Sequence, residues 1–168
     1  MRAARVHSFA PIEVGNAEVL ILGSMPGRRS LAANQYYAHP QNAFWRIIAK
    51  LLEFDPAIPY AARINKLKSA RIALWDVLQS CEREGSLDSS IERESQVPND
   101  FRAFFRKHSK IQRVYFNGAE AQACFNRHTQ AQACTNPIAY ARLPSTSPAN
   151  ATLSFAHKLR AWRVILDA

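Results

Sequence analysis

Four short aliphatic runs, separated by stretches of helical periodicity, constrain the fold of this chain more than any other feature. They are Ala17-Glu-Val-Leu-Ile-Leu-Gly23, Arg71-Ile-Ala-Leu-Trp-Asp-Val77, Ile111-Gln-Arg-Val-Tyr-Phe116 and Ile138-Ala-Tyr-Ala-Arg142. The first is apolar almost throughout rather than alternating, as a strand covered on both faces is. Between the runs, Phe44, Ile47, Ile48, Leu51 and Leu52 share one helical face, and residues 60–69 read as a helix. Phe101, Phe104, Phe105 and His108 stripe another helix that opens at Pro98 or Asn99. Residues 119–128 form a further one, and Leu153, Ala156, Leu159, Trp162 and Ile165 stripe the last. The polar stretch from Gln79 to Asn99 reads as a surface excursion. Strands alternating with helices imply a parallel sheet covered on both faces. The expected fold class is therefore α/β, a three-layer α/β/α sandwich with a central four-stranded parallel sheet, in a single domain over 1–168.

In an open sheet of this kind the ligand site lies outside the carboxyl ends of the strands. Three of those ends lead into unusual polar segments, 23–42, 117–118 and 143–150, which should converge on one cleft. The first begins Gly23-Ser-Met-Pro-Gly27, which lacks the lysine and spacing of a P-loop, and no GxGxxG occurs in the chain, so nucleoside-triphosphate chemistry is disfavoured. On the residues alone, Asn42 is the N-cap of the helix that follows, Asn117 before Gly118 is a turn former, and Tyr37 is a core aromatic. Asp76, at the end of the second strand, is read as structural. Trp45, Trp75 and Trp162 are read as core.

Charge narrows the partner. The chain has 22 Lys+Arg against 13 Asp+Glu, a formal net charge of +9, and such an excess suits a polyanion whose condensed counterions are released on binding. The basic residues are spread along the chain without a basic tail, so a binding surface must be assembled by folding. Cys81, Cys124 and Cys134 are an odd number without a CxxC, which disfavours a disulfide framework, a four-cysteine zinc site or an iron–sulfur cluster. Cys124, His128 and Cys134 could be drawn as partial metal ligands, but an apolar helix face explains them better. No metal and no cofactor is expected. The longest apolar run is too short to cross a bilayer and the first ten residues lack a signal-peptide core, so the expectation is a cytoplasmic protein, in a bacterial-type cytosol or on the nucleoid, with no membrane partner.

The polar loops carry a family resemblance. Gly23-Ser-Met-Pro-Gly27 followed by Tyr37-Ala-His-Pro-Gln-Asn-Ala-Phe-Trp45 resembles the first motif of the uracil-DNA glycosylase superfamily, and is similar to the mismatch-specific branch with its Gly-Ile-Asn-Pro-Gly and Phe-Ala-His-Pro. Leu143-Pro-Ser-Thr-Ser-Pro-Ala-Asn150 sits where that superfamily has its second motif, a Pro-Ser loop before the last helix. The combination is similar to the hypoxanthine-DNA glycosylase family within the superfamily, and the likeness runs from about residue 17 to the C-terminus, weakest over Gln79 to Asn99.

The resemblance implies a uracil-DNA glycosylase-like fold and a monofunctional enzyme of base-excision repair. It would flip a deaminated base out of DNA and hydrolyse its N-glycosidic bond, hypoxanthine first and uracil second, acting as a monomer. Met25 stands where other branches place Asp or Asn, and a thioether orients water poorly. The attacking water is then assigned to Asn42, which can position it but cannot act as a strong base, and Asn117 is assigned to the base edge. Tyr37 is expected to stack on the base, with Ser24, Met25, Tyr36 and His39 completing the pocket; His39 could donate a proton but reads more readily as an imidazole that fixes the loop by hydrogen bonds. Leu143 replaces the histidine of the classical uracil enzymes. Ser145, Ser147, Pro148, Asn150, Arg142, Arg28 and Arg29 are the expected DNA contacts, Asn150 reading also as a cap of the last helix. No lysine stands in the motifs, so lyase chemistry through a Schiff base is not expected. Two alternatives stand beside this reading: a G/U mismatch-specific uracil-DNA glycosylase, and a non-catalytic binder of damaged DNA.

Overall fold

The computed structural model describes residues 3–129 and 137–167. In chain order its strands and α-helices are β1 (Ala4–His7), β2 (Val19–Gly23), α1 (Arg28–Ala33), α2 (Phe44–Leu51), α3 (Tyr60–Ser69), β3 (Ile72–Asp76), β4 (Leu78–Arg83), β5 (Val97–Pro98), α4 (Phe101–Lys107), β6 (Arg113–Asn117), α5 (Ala119–Thr129), β7 (Ala139–Leu143) and α6 (Phe155–Trp162), with 3-10 turns at Asp88–Ser90, Arg93–Ser95 and Arg163–Leu166.

The four apolar runs are the four strands of a parallel sheet in the order β3-β2-β6-β7. Successive side chains of a strand point to opposite faces, and the strands divide between two cores accordingly. Leu20, Leu22, Ala73, Trp75, Val114 and Phe116 join the aromatic stripe of α4 and Phe125 of α5. Val19, Ile21, Ile72, Leu74 and Tyr115 join Phe44, Ile47 and Ile48 of α2, Leu67 of α3 and Trp162 of α6. The expected three layers are thus present, and each large aliphatic or aromatic side chain buried in them contributes roughly 1.5–3 kcal/mol before chain entropy is counted. Trp45, Trp75 and Trp162 are all buried. Strand β7 is an edge, exposed along Ala139–Arg142 and buried only at Leu143.

Several local expectations are corrected. The stretch from Gln79 to Asn99 is not merely an excursion: β4 continues from β3 after Val77 and forms a second, antiparallel sheet in the order β1-β4-β5. The segment 23–42 contains the short helix α1. Helix α4 is capped by Asp100, whose carboxylate accepts the Ala103 N–H, while Asn99 donates its side-chain amide to the Asp76 carbonyl. Helix α6 starts at Phe155 behind a Ser154 cap, so Leu153 is outside it and exposed, and Lys158 rather than Ala156 is buried. Cys124 is in the core and His128 pairs with Gln96; Cys134 lies outside the described residues.

Candidate active site

The carboxyl ends of the parallel strands open into a cavity of about 610 Å³. The three expected segments line it, through Gly23–Ser30, Tyr36, Tyr37, His39, Asn42, Asn117 and Ser145–Asn150. Two further segments complete it: Asp76 at the end of β3, and Ser86–Ser89 beyond β4. Backbone bonds from Val77 N–H to the Gly23 carbonyl and from Leu78 N–H to that of Ser24 fasten the β3–β4 junction against the first loop, bringing Asp76 to the floor. Two glycines are required by close approach. A Cβ on Gly23 would lie 2.5 Å from Asp76 Oδ1 and 2.9 Å from the Tyr37 hydroxyl. Gly118, at φ +97°, passes so near the second loop that a Cβ would be 3.0 Å from that of Ser145.

On one side of the cavity a single residue ties the loops together. Thr146, 1% exposed, accepts the Ala43 N–H at its carbonyl, donates its own N–H to Asn117 Oδ1 at 2.9 Å, and accepts Asn117 Nδ2 at its hydroxyl, also at 2.9 Å. The Asn117 amide is thereby fixed, with one N–H and one oxygen lone pair left over. Asn42 Oδ1 accepts the Phe44 N–H at 2.9 Å, an Asx turn one residue ahead of the Ala43 cap position rather than the cap itself. His39 Nδ1 accepts the Gln41 N–H and its carbonyl accepts that of Asn42, as a loop-fixing imidazole would. Asn150 donates to the Ser145 carbonyl, and its own carbonyl takes the ammonium of buried Lys158. It staples the second loop and does not cap α6.

The aromatic wall is rigid. Tyr36 is 4% exposed, with its hydroxyl on the Ala10 carbonyl and its backbone carbonyl on the Trp45 indole. Tyr37 adopts φ +54°, a left-handed conformation that costs a non-glycine residue roughly 1–2 kcal/mol, and lays its ring on Phe44 at 4.2 Å between centroids. The Tyr37 hydroxyl is buried beside the Asn117 amide, which favours its ionised form, but it makes no hydrogen bond of full geometry among the described residues. Burial, with Asp76 nearby, raises both phenols well above their ordinary range.

On the other side stand two carboxyls. Asp76 is 3% exposed and its Oδ2 has no hydrogen-bond partner among the described residues. Burial, reinforced by the nearby Asp88, pushes its carboxyl up to about 7, against the pull of Arg83. Asp88 accepts the Ser24 hydroxyl at 2.7 Å; burial raises it too, offset by that hydrogen bond and by Arg83. The Arg83 guanidinium donates to the Pro26 and Gly85 carbonyls rather than to either carboxylate. Ser86 accepts the Arg28 N–H, and Leu87 projects at the rim, 55% exposed.

A sequence profile of the uracil DNA glycosylase superfamily matches residues 11–166, nearly the whole chain. The chain belongs to the uracil DNA glycosylase superfamily. Its curated relatives include a protein of Methanosarcina barkeri named hypoxanthine DNA glycosylase, 39% identical over 114 residues, which are 67% of this chain and 71% of that one. A protein of the same name from Methanosarcina acetivorans is 40% identical over 107 residues, 63% of this chain and 66% of its own. Among solved structures, the solution NMR structure of a candidate uracil DNA glycosylase from Methanosarcina acetivorans superposes with a TM-score of 0.81 at 31% identity, covering 97% of each chain.

The chain is accordingly a DNA glycosylase of the α/β architecture that the strand pattern anticipates. Of the residues singled out in the sequence, Asn42, Asn117, Tyr37, Ser24, Met25, Tyr36, His39, Ser145, Ser147, Pro148, Asn150, Arg28 and Arg29 all line the glycosylase's cavity. Arg142 does not; it lies on exposed β7. Thr146 stands inside the second motif without a role assigned to it, and Ser86–Ser89 with Asp88 escapes sequence reasoning because it lies in a polar stretch without periodicity. Asp76 carried a usable signal, since the rule that brings loops to strand ends applies to all four strands, and β3 ends on a carboxylate. No described helix is long and apolar enough to cross a membrane.

Proposed function

We propose that this glycosylase is monofunctional and removes deaminated bases from DNA, hypoxanthine chiefly and uracil second, by hydrolysis of the N-glycosidic bond of a flipped nucleotide. The two Methanosarcina relatives bear the name of that activity, and the net charge of +9 suits a DNA partner. One observation carries the mechanism. Asn42 lines the cavity with its Oδ1 already pinned by the Phe44 N–H, so its remaining lone pair has a fixed direction in which to accept a hydrogen bond from water.

An uncharged amide cannot take the proton of that water. Bond cleavage therefore leads: the C1′–N bond lengthens, the sugar acquires oxocarbenium character, and the held water adds to C1′ and gives its proton to solvent. Tyr37, backed by Phe44, supplies a stiff ring against which the flipped base stacks. Asn117 offers the base the N–H and lone pair that Thr146 leaves free. Arg28, Arg29, Ser145, Ser147, Pro148 and Asn150 at the cavity receive the flanking backbone, with Arg142 farther out on β7, and one protomer in the cytosol or on the nucleoid suffices.

The test is single-turnover excision of hypoxanthine from an oligonucleotide by wild type and Asn42→Ala. The variant is expected to lose roughly 10²–10³-fold in rate, the usual cost of removing one group aimed at the reacting centre, while binding the oligonucleotide undiminished. An Asn42→Ala variant as fast as wild type rules the mechanism out.

A further inference from the structure

We propose that Asp76 reads the lactam of the flipped base as a neutral carboxylic acid, its O–H donated to the base carbonyl and its other oxygen accepting the adjacent ring N–H. This assignment rests on the reading of the protein as a glycosylase for deaminated bases and adds to it a residue for which the motifs provide no role.

The geometry carries the assignment. Asp76 closes the floor of the cavity at the end of β3, 3% exposed, and Oδ2 meets no donor among the described residues. A buried carboxylate with no ion-pair contact and no hydrogen-bond donor at Oδ2 among the described residues, and with only the more distant pull of Arg83, is costly, and it relieves that cost by taking a proton. Each group that faces it leaves it unpaired. From β4, Arg83 gives its Nε and Nη2 to two carbonyls and makes no hydrogen bond to either carboxyl, its Nη1 being without a partner among the described residues. From the Ser86–Ser89 segment comes a second carboxyl, Asp88, which holds the Ser24 hydroxyl. From the loop ahead of α2 come Tyr36, bonded to the Ala10 carbonyl, and Tyr37. The shift of Asp76 to about 7 agrees with this picture. Asn117, held by Thr146 at both ends of its amide, keeps one N–H and one lone pair for the rest of the base edge, and the lactam falls to Asp76.

A lactam presents a carbonyl beside an N–H, and a neutral carboxyl presents O–H beside C=O, so the two pair through parallel hydrogen bonds. In the ground state the pair identifies the base. As the C1′–N bond breaks, its electrons flow into the ring and onto the carbonyl, and the O–H bond strengthens against that growing charge. The proton stays on Asp76. The water oxygen goes to C1′ and one of its protons to solvent, and the departing base takes a proton from solvent. An ionised Asp76 would instead oppose the departing anion. Keeping a buried carboxyl neutral so that it can donate is an established way to stabilise such charge.

The experiment measures single-turnover hypoxanthine excision between pH 5.5 and 8.5 for wild type, Asp76→Asn and Asp76→Ala, with binding of free hypoxanthine measured in parallel by calorimetry. The side-chain amide of Asn reproduces the donor and acceptor of the neutral acid and does not titrate. Wild type is expected to slow as pH rises through about 7, by up to tenfold per unit. Asp76→Asn should stay within about tenfold of wild type at pH 6 and be flat with pH, and Asp76→Ala should be slower by roughly 10²–10³-fold. Free hypoxanthine should bind wild type and Asp76→Asn, and Asp76→Ala at least tenfold more weakly. An Asp76→Asn variant as slow as Asp76→Ala, one that keeps the alkaline decline, or an Asp76→Ala variant equal to wild type each overturns the assignment. Should wild type release no base, the proposed function fails by itself. Asp76 is then judged by the free-base binding, where loss in Ala and retention in Asn support it and equal binding by all three overturns it.

Discussion

The two sides of the cavity are built on opposite principles. Around Thr146 the polar groups are used up: Ala43 N–H, the Thr146 N–H and hydroxyl, and both ends of Asn117 are joined in one network that locks the second loop to α2 and β6. Around Asp76 they are left over. Asp76 Oδ2, the Tyr37 hydroxyl and Arg83 Nη1 are buried without a hydrogen bond of full geometry among the described residues. Buried polar groups are normally satisfied, and each exception costs of order 1–3 kcal/mol. A fold that tolerates such a cluster at the floor of this cavity keeps one side of the site for shape and the other for contact with a ligand that completes the missing hydrogen bonds.

The substitution that strikes this contrast hardest is Gly23→Ala. The new Cβ meets Asp76 Oδ1 at 2.5 Å and the Tyr37 hydroxyl at 2.9 Å. Both atoms are ends of side chains, so the backbone can remain while the contact groups are displaced. Excision is expected to fall by about 10²-fold, with a stability loss of about 1–3 kcal/mol, the low end of overpacking. Thermal denaturation beside single-turnover assays separates the two; a fully active Gly23→Ala would mean that the floor is not where the base sits.

A smaller effect concerns stability against pH. Asp76 has a folded value of about 7, above its ordinary 3.8, so between about pH 4 and 7 the native state holds a proton that the unfolded chain has released. Stability contributed by this group therefore falls as pH rises across that window. Denaturation midpoints of wild type should decline relative to those of Asp76→Asn from pH 4 to 7, and parallel curves would show that Asp76 is not raised. The smallest effect lies at the rim. Arg28 and Arg29 are exposed, and replacing either by Ala should reduce the slope of log affinity for DNA against log salt by about 1, leaving the excision rate of bound DNA unchanged. An unaltered slope removes that arginine from the DNA surface.

How much of this was legible in the sequence depended on how each part is stabilised. Strands β2 and β3 announce themselves because both faces are buried, and the stripes of α2 and α4 because one face is. The β1-β4-β5 sheet left no such trace. Strand β1 is largely exposed, and what joins it to β4 is antiparallel pairing and the Arg5–Glu82 ion pair, between residues that no local pattern connects. The same holds within the site. Asn42, Tyr37 and Asn117 carry their signal in their own motif positions, whereas Thr146, though inside the second motif, and Asp88 acquire their roles from partners far away in the chain, Asn117 and Ser24. Asn42 also shows the limit of cap reasoning: its oxygen does hold the helix start, but from one residue ahead of the cap and from within the cavity wall.

The central claim, that this cavity takes a deaminated base from DNA and cuts it free, is tested most directly by mass-spectrometric detection of the free base. Wild-type protein would be incubated with oligonucleotides carrying hypoxanthine, uracil or xanthine, each single-stranded and in duplex. Free hypoxanthine is predicted to be the principal product, leaving an abasic site that breaks only on later alkaline treatment. Strands that are bound but stay intact after alkali, with no base released, would contradict the account.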